Sequence, residues 1–452
     1  MTRMRSTTLM PNLPGTGAKS GIEKSITATG VLAVLLAGCA ATLTAQTPLP
    51  LPTSVTLPKS SVSGPQDAGV RAHTYLQFLG SGSEFTGKPN FYGPPFGPGL
   101  FYETPASIAC IYGLQPAVAG CNPYSAFANP NGGRKAIAIV DAYDNPNIVF
   151  DMQIFIGQFG VPAVNPTSFI VVYAPPGGTA PGSCSGPATR PPPAAGTGWD
   201  IEASLDVQYA HAMAPLANLY LVEAQSNLDN DLYCAVSLAS SIVAANGGGE
   251  VSMSWGGPED PTEIANDGVF TKPNVVYFAS TGDGPGTQYP SVSPNVVAVG
   301  GTTLSRNHTT GNFRFENTWQ SGGGGISLYE SRPGYQSSIA ALVGTQRGVP
   351  DISAVANPFT GVWVFNSSFV GFPAWFIVGG TSVASPVMAG ITNAAGNFYA
   401  SSRMELSKLY TDPATDFTDI TYGVCGPFQG DVAASGWDLC TGRGSPNGYL
   451  GK

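Results

Sequence analysis

The sequence predicts an α/β fold built on a mostly parallel sheet with helices on both faces. Three observations carry that expectation. Short apolar runs at 135–141, 219–223, 251–255, 275–280 and 296–300 are interleaved with helical patterns at 146–159, 200–213 and 232–245. The runs are nearly continuous in apolar residues, as strands covered on both faces are, rather than alternating as half-exposed strands do. The 452-residue chain is also 42% hydrophobic and only 10% charged, against roughly 25% charged in an average soluble protein, so a large core can be buried.

The elements follow in order. Arg3, Arg5, Lys19 and Lys24 precede the compact apolar run Val31–Ala37, and no charged residue occurs between Ser25 and Pro58. A basic lead, a short apolar segment and small residues make residues 1–45 an expected export signal, shorter than the ~20 apolar residues of a spanning helix. Two endings fit. Leu36-Ala37-Gly38-Cys39 matches a bacterial lipobox, which would anchor the chain to a membrane through a lipidated Cys39; cleavage after Leu43-Thr44-Ala45 would release it. Residues 46–104 are rich in Pro, Gly and Ser, and only Ala68–Leu79 suggests a short helix there. From about Thr104 the strand and helix alternation begins, with Lys135–Asp141 as its first strand and the Pro/Gly run 175–198 as a long loop into the helix at 200–213.

Removing Cys39 from the seven cysteines leaves Cys110, Cys121, Cys184, Cys234, Cys425 and Cys440. An even number in an exported chain implies disulfides, although six cysteines allow 15 connectivities. Sequence neighbours suggest Cys110–Cys121, Cys184–Cys234 and Cys425–Cys440. With 28 acidic and 19 basic residues the formal charge is -9, which argues against nucleic acid as a partner. Few charges weighted to carboxylates suit an acidic medium, where little positive repulsion accumulates.

Chemistry concentrates in three places. Gly379-Gly380-Thr381-Ser382-Val383-Ala384-Ser385-Pro386 reads as a tight turn opening a helix that runs to about Ala400, with Pro386 in its first turn. Ser382 then lies at a helix N-terminus, where free N–H groups favour a developing negative charge; a plain helix cap is the competing reading. His73, His211 and His308 are the only histidines, and none sits in a Gly-Thr-His context that would supply a base. Glu202 and Asp206 are four apart on an expected helix, so their carboxylates share one face. Residues 191–271 hold 11 Asp and Glu and no Lys or Arg, so no near cation in sequence keeps both ionised, and a shared proton would leave one member basic. A solvated acidic face is the alternative. Asp283, in Phe278-Ala279-Ser280-Thr281-Gly282-Asp283, follows an apolar strand in a Gly-rich turn, where α/β sheets place functional groups; a turn-forming Asp is the alternative.

Taken in the order Glu, Asp, Asp, Ser, and with the strings SLDVQ, VSMSWGG, YFASTGD, YPSVSPNVVAVGGT, GGGIS, RGVPDISA and GGTSVASP, residues 105–452 resemble the sedolisin family of serine-carboxyl peptidases. The resemblance implies a subtilisin-like fold, Ser382 as nucleophile, Glu202 as general base, Asp206 as its partner and Asp283 as oxyanion donor. It implies one structural calcium ion near the C-terminus, held by Asp419 and Asp438 with backbone oxygens of Ile420, Ala434 and Gly436. Asp141, in IAIVDAYD, stands where a subtilisin carries its catalytic Asp and is read as structural. Family members are usually made with a large folded pro-domain, and residues 46–104 are too short and too Pro/Gly-rich to form one. The implied activity is acid-pH hydrolysis of protein or peptide substrates by a monomeric, exported endopeptidase. A tripeptidyl-peptidase and a non-catalytic, calcium-stabilised binding protein on the same fold are the alternatives.

Overall fold

The computed structural model describes residues 54–80, 100–164, 167–427 and 430–452. The expected export signal at residues 1–45, with Cys39, lies outside the described residues. No helix among the described residues is long and apolar enough to cross a membrane.

The N-terminal segment does not form the helix expected at Ala68–Leu79. It runs extended, as β1 (Val55–Thr56), β2 (His73–Thr74) and β3 (Gln77–Leu79). Thr74, Tyr75 and Phe78 favour extended backbone, and the segment pairs with β8, β17 and β1, so tertiary pairing overrides a weak local preference. α1 (Pro105–Ile111) opens the next stretch, capped by Thr104. Then come β4 (Ala136–Ala142), α2 (Ile148–Phe159), β5 (Phe169–Tyr173), α3 (Trp199–Met213), β6 (Asn218–Ala224), α4 (Asp229–Ala245), β7 (Gly249–Met253), β8 (Trp255–Pro258), β9 (Val275–Ser280), β10 (Gln288–Tyr289), β11 (Val297–Arg306) and β12 (Phe313–Thr318). β13 (Gly325–Ser331), α5 (Ala340–Val343), β14 (Gln346–Val349), β15 (Ile352–Val355), β16 (Val362–Asn366), β17 (Ala374–Gly379), α6 (Thr381–Ala395) and α7 (Ser402–Thr411) complete the main order.

The central sheet runs β12-β11-β9-β7-β4-β6-β5, with β15 also paired to β11. Every pairing in it is parallel except β11 with β12. Alternate residues of β4 show why the strand is apolar throughout. Ala136, Ala138 and Val140 pack with Leu232, Val236 and Val243 of α4 on one face. Ile137 and Ile139 pack with Ala203, Val207 and Ala210 of α3 on the other. Both faces are therefore covered, as the continuous apolar runs anticipate. The three disulfides join Cys110 to Cys121, Cys184 to Cys234 and Cys425 to Cys440, the sequence-neighbour pairing.

Helix α6 departs from expectation at both ends. It starts at Thr381, so Pro386 is its sixth residue and lies inside the helix rather than in its first turn. It stops at Ala395 because Gly396 takes a left-handed conformation, φ 81°.

Candidate active site

The carboxyl ends of β4, β7 and β9 meet α3 and α6 at one point. β4 ends beside Asp141, β7 leads to Ser254, and the turn after β9 carries Asp283. Such a position, outside the carboxyl edge of a parallel sheet, is where α/β folds gather functional groups.

Gly380 opens α6 with φ 108°, a conformation that side chains avoid. A Cβ there would also stand 1.9 Å from the Tyr75 carbonyl oxygen. Ser382 follows in the first turn, fully buried. Its Oγ donates to the Ser254 carbonyl at 3.1 Å and accepts from the Tyr75 N–H at 3.1 Å. Pro386, lacking an N–H, leaves the Ser382 carbonyl without its helical partner, and Ser254 Oγ lies 3.2 Å from that oxygen. The same hydroxyl is 2.8 Å from Asp206 Oδ1. Ser254 thus ties nucleophile turn to acidic helix; it lies inside the string VSMSWGG, but nothing in its spacing singles it out.

Every residue of α3 is buried, Glu202 and Asp206 included. Burial raises the Glu202 pKa well above the ordinary carboxyl range, and the charges of Asp206, Asp141 and Asp283 push it further. Burial followed by the charge of Asp141 raises Asp206 likewise. The charges acting on this pair are carboxylates, so the cation-poor stretch around it in sequence is matched in space. Neither Glu202 oxygen has a hydrogen-bond partner, because Ser382 Oγ is turned to the Ser254 carbonyl. The hydroxyl is still near enough to favour the ionised form of Glu202. Asp141 is fully buried with both oxygens unpartnered, and burial moves its pKa to about 8.

Asp283 Oδ1 accepts from the Thr381 N–H at 2.7 Å and from Thr381 Oγ1 at 3.1 Å. Solvent touches the edge of the residue, but Oδ2 is sealed and unpartnered. Burial raises this carboxyl to about 8, so it is protonated over most of the acid range. Oδ2 and the Tyr75 carbonyl oxygen flank the same point beside Gly380, 2.7 and 1.9 Å from where a Cβ would stand. The Ser382 N–H also donates to that carbonyl, at 3.1 Å. One donor, the Ser382 N–H, is thus bonded to this peptide oxygen, and the unpartnered Asp283 Oδ2 lies on the same side of Gly380.

That peptide belongs to the chain itself. His73 and Thr74 pair antiparallel with Gly256 and Trp255 of β8, and Gln77 and Phe78 pair antiparallel with Gly379 and Val378 of β17. Residues 73–79 thus form a strap across Ser382, with the Tyr75 backbone bonded to its Oγ and N–H. The sequence reading missed this occupant because its β8 and β17 partners lie more than 170 residues away, although β1 pairs with its end. His73 contacts the Ser60 carbonyl and Asp67, and His211 is held by the Pro162 carbonyl; neither histidine is bonded to Ser382.

The C-terminal loop brings Asp419 and Asp438 to one five-residue stretch. Asp419 Oδ2 accepts from the Gly436 N–H and Ser435 Oγ, while Asp438 accepts from the N–H groups of Ala434, Cys440 and Thr441. Among the described residues no group of three or more His, Cys, Asp or Glu is placed to hold a metal. A hard cation here would depend on these two carboxylates plus carbonyls of Ile420, Ala434 and Gly436, a donor set of suitable chemistry.

No family model matches the chain. Over 294 residues it is 31% identical to kumamolisin of Bacillus sp. (strain MN-32), covering 58% of this chain and 52% of that protein. Over 243 residues it is 32% identical to sedolisin of Pseudomonas sp. (strain 101), covering 49% of this chain and 37% of that protein. The chain thus spans about half the length, or less, of these curated relatives. A solved structure, Pseudomonas sedolisin, a serine-carboxyl proteinase complexed with two molecules of pseudo-iodotyrostatin, matches with TM-score 0.59 at 24% identity, over 77% of this chain and 96% of that chain. At that identity the likeness is one of fold, and the fold is subtilisin-like.

Proposed function

We propose, from the premise that the chain belongs to the sedolisin family, that it is an exported serine-carboxyl endopeptidase acting at acid pH. The observation that carries this reading is the backbone of Tyr75 laid across Ser382, its N–H on Oγ and its carbonyl oxygen, in the next peptide unit, on the Ser382 N–H. Ser382 Oγ attacks the carbonyl carbon while Glu202 takes the hydroxyl proton, with Asp206 orienting Glu202 and sharing its proton. The oxyanion is held by the Ser382 N–H and the protonated Asp283 carboxyl. Glu202 returns the proton to the leaving amine, the acyl-enzyme forms, and water repeats the sequence to release the acid.

Endo-cleavage is favoured over removal of N-terminal tripeptides. The strap makes continuous backbone contacts for five residues up to the nucleophile: Arg71 bridges Leu228, Ala72 donates to Asn227, and His73 and Thr74 pair with β8 before Tyr75. A groove that holds more than three residues on this side does not require a free N-terminus there. Export is supported by the three disulfides, which form and persist outside the reducing cytosol. One calcium ion at Asp419 and Asp438, with the carbonyls of Ile420, Ala434 and Gly436, would stabilise the C-terminal loop. Acid-pH hydrolysis of a denatured protein by wild type but not by Ser382→Ala tests the reading; equal rates would remove Ser382 from the chemistry.

A further inference from the structure

A row of carboxyls runs from the catalytic pair across the carboxyl end of the sheet towards its edge strand β5. Ile137 and Ile139 of β4 pack with Ala203 and Val207 of α3, and Leu219 and Leu221 of β6 join the same cluster. Alternate residues of a strand share a face. Asp141 and Glu223, two residues further along, therefore lie on the α3 side with Glu202 and Asp206. They are register partners, and Tyr173 of β5 is the next residue in the row. Asp141 is fully buried with both oxygens unpartnered, and its charge acts on Glu202 and on Asp206. Glu223 is fully buried too; Oε1 accepts from the Asn145 N–H at 2.9 Å, and Oε2 has no hydrogen-bond partner.

Asp144 follows, itself buried, and its carboxylate is held by Arg190, with Nε on Oδ1 and Nη2 on Oδ2, each at 2.9 Å. The Arg190 side chain is 57% exposed, so the row ends in water. Asp141 from β4, Asp144 from the turn after it, Tyr173 from β5 and Arg190 from the long loop are the titratable and charged groups that act on Glu223. Burial raises Asp141 to about 8. Burial, opposed by the Asn145 N–H and aided by the charges of Asp144 and Asp141, raises Glu223 to about 8 as well. Both carry a proton at acid pH. A protonated carboxyl has one O–H to donate and an oxygen still able to accept, so it takes a proton on one side while releasing its own on the other.

We propose that Glu223 and Asp144 are positioning residues for the peptidase reaction, which through Asp141 carry the proton of Glu202 to solvent at the β5 edge while a peptide fills the cleft. With the strap in place Glu202 is at 0% exposure, so its proton needs a route that does not cross the bound peptide. The Glu202–Asp206 pair passes a proton to an open Asp141 oxygen, Asp141 passes its own to Glu223, and Glu223 passes its own to Asp144. Water beside Arg190 takes the last one. One proton leaves, each relay carboxyl keeps its protonation state, and Glu202 is left ionised, as a general base must be.

The relay rests on the peptidase reading, and two measurements separate them. Below pH 7, Gln copies the shape and neutrality of a protonated Glu but does not hand on a proton, so a Glu223 that only fills space would be replaced without loss. Rates of the full chain and of Glu223→Gln are compared on one peptide at pH 4 to 6, in H2O and in D2O. The variant is expected to lose roughly 10²-fold in kcat, the lower end for a positioned proton-transfer group, with KM and melting temperature kept and the solvent isotope effect enlarged. Asp144→Asn, nearer the surface, should do the same and carries the test if Glu223→Gln does not fold. The double variant should be no slower than the slower single one, because the two act in series. Unchanged kcat, or a loss without a larger isotope effect, would overturn the relay. The second measurement needs no turnover. In the Ser382→Ala chain, the infrared carboxyl band that Glu202→Gln removes is followed on transfer to D2O, and Glu223→Gln should slow its deuterium shift. A shift as fast as in the parent chain would also overturn the relay. Absence of hydrolysis by wild type would refute the peptidase reading, and the infrared exchange would still decide the proton's route.

Discussion

Replacing Asp283 separates the two carboxyl roles proposed for the site by the direction of their pH dependence. A carboxyl donates a hydrogen bond to an oxyanion only while protonated. Free Asp titrates near 3.9 and would lose that ability across the acid range; burial moves Asp283 to about 8. It is therefore nearly all donor at pH 5, and about one tenth donor at pH 9, one unit above its pKa. Glu202 acts in the opposite sense: it must lose a proton to serve as base, so activity rises as pH climbs through its titration. A bell results, with the Glu202–Asp206 pair on the acid limb and Asp283 on the alkaline limb. Asp283→Ala should lose on the order of 10²–10³ in turnover, the typical cost of one oxyanion donor. Asp283→Asn keeps an N–H donor at every pH and should retain measurable activity with a flatter alkaline limb. The assay is kcat/KM against pH, from 3 to 9, for the three forms on one peptide. An Ala variant as active as wild type, or an Asn variant with an unshifted alkaline limb, would refute the donor role.

Other expectations follow from the same geometry. Glu202→Gln should abolish nearly all turnover with the melting temperature retained, while Asp206→Asn should cost less, since it orients the base; wild-type rates in either, measured on one peptide, would reassign the base. Glu405 is buried, Oε2 is unpartnered, and burial aided by the Asp412 charge raises it to about 8 against the opposing charge of Lys452. Its folded state keeps a proton that the unfolded chain loses near 4.3, so its stabilising effect is complete below that pH and disappears as pH rises to about 8. The slope is about 1.4 kcal/mol per pH unit for one proton, and Glu405→Gln should remove it from urea melts at pH 4, 6 and 8; identical slopes would show that Glu405 ionises freely. Chelation should lower the melting temperature by an amount that calcium restores, about 2.7 kcal/mol at a hundredfold excess over Kd; an unchanged melt would discard the ion at Asp419 and Asp438.

The sheet was legible because parallel strands announce themselves. Val275–Ser280 coincides with β9, and the β4 run is one residue out of register with its strand, since nothing but burial on two faces tolerates AIAIV in a turn-rich chain. The helix pairing Glu202 with Asp206 was legible from the four-residue spacing alone. The end of α6 was available in Gly396 yet was read past, to Ala400, because the small residues after it are compatible with helix. Pro386 was misplaced for a clearer reason. It was read into the first turn, whereas Gly380 caps the helix and Thr381 is already helical, which puts Pro386 at the sixth position. The strap was not legible at all. Its local pattern, AHTYLQF, has neither a clean period nor a turn signal, and its extended form is dictated by β8 and β17.

Charge-poor composition and site chemistry are one physical fact seen at two scales. Burying a carboxyl without a cation disfavours its charged form, so such groups are tolerated where they remain protonated. Glu202, Asp206, Asp283 and Asp141 obey this rule in the site, and Glu223, raised to about 8, obeys it elsewhere. A histidine-based site would face the reverse constraint, because a buried imidazole is pushed down, as His211 is, and would have to gain a charge at acid pH. Carboxylates therefore let the same low pH that stabilises the core also keep the oxyanion donor protonated. What low pH cannot do by itself is ionise Glu202 in a sealed cleft. With the strap across Ser382, Glu202 lies at 0% exposure and feels the charges of three other carboxyls, which favour its protonated form. Any opening of the cleft that admits water to Glu202 would lower the desolvation cost and favour its ionised form.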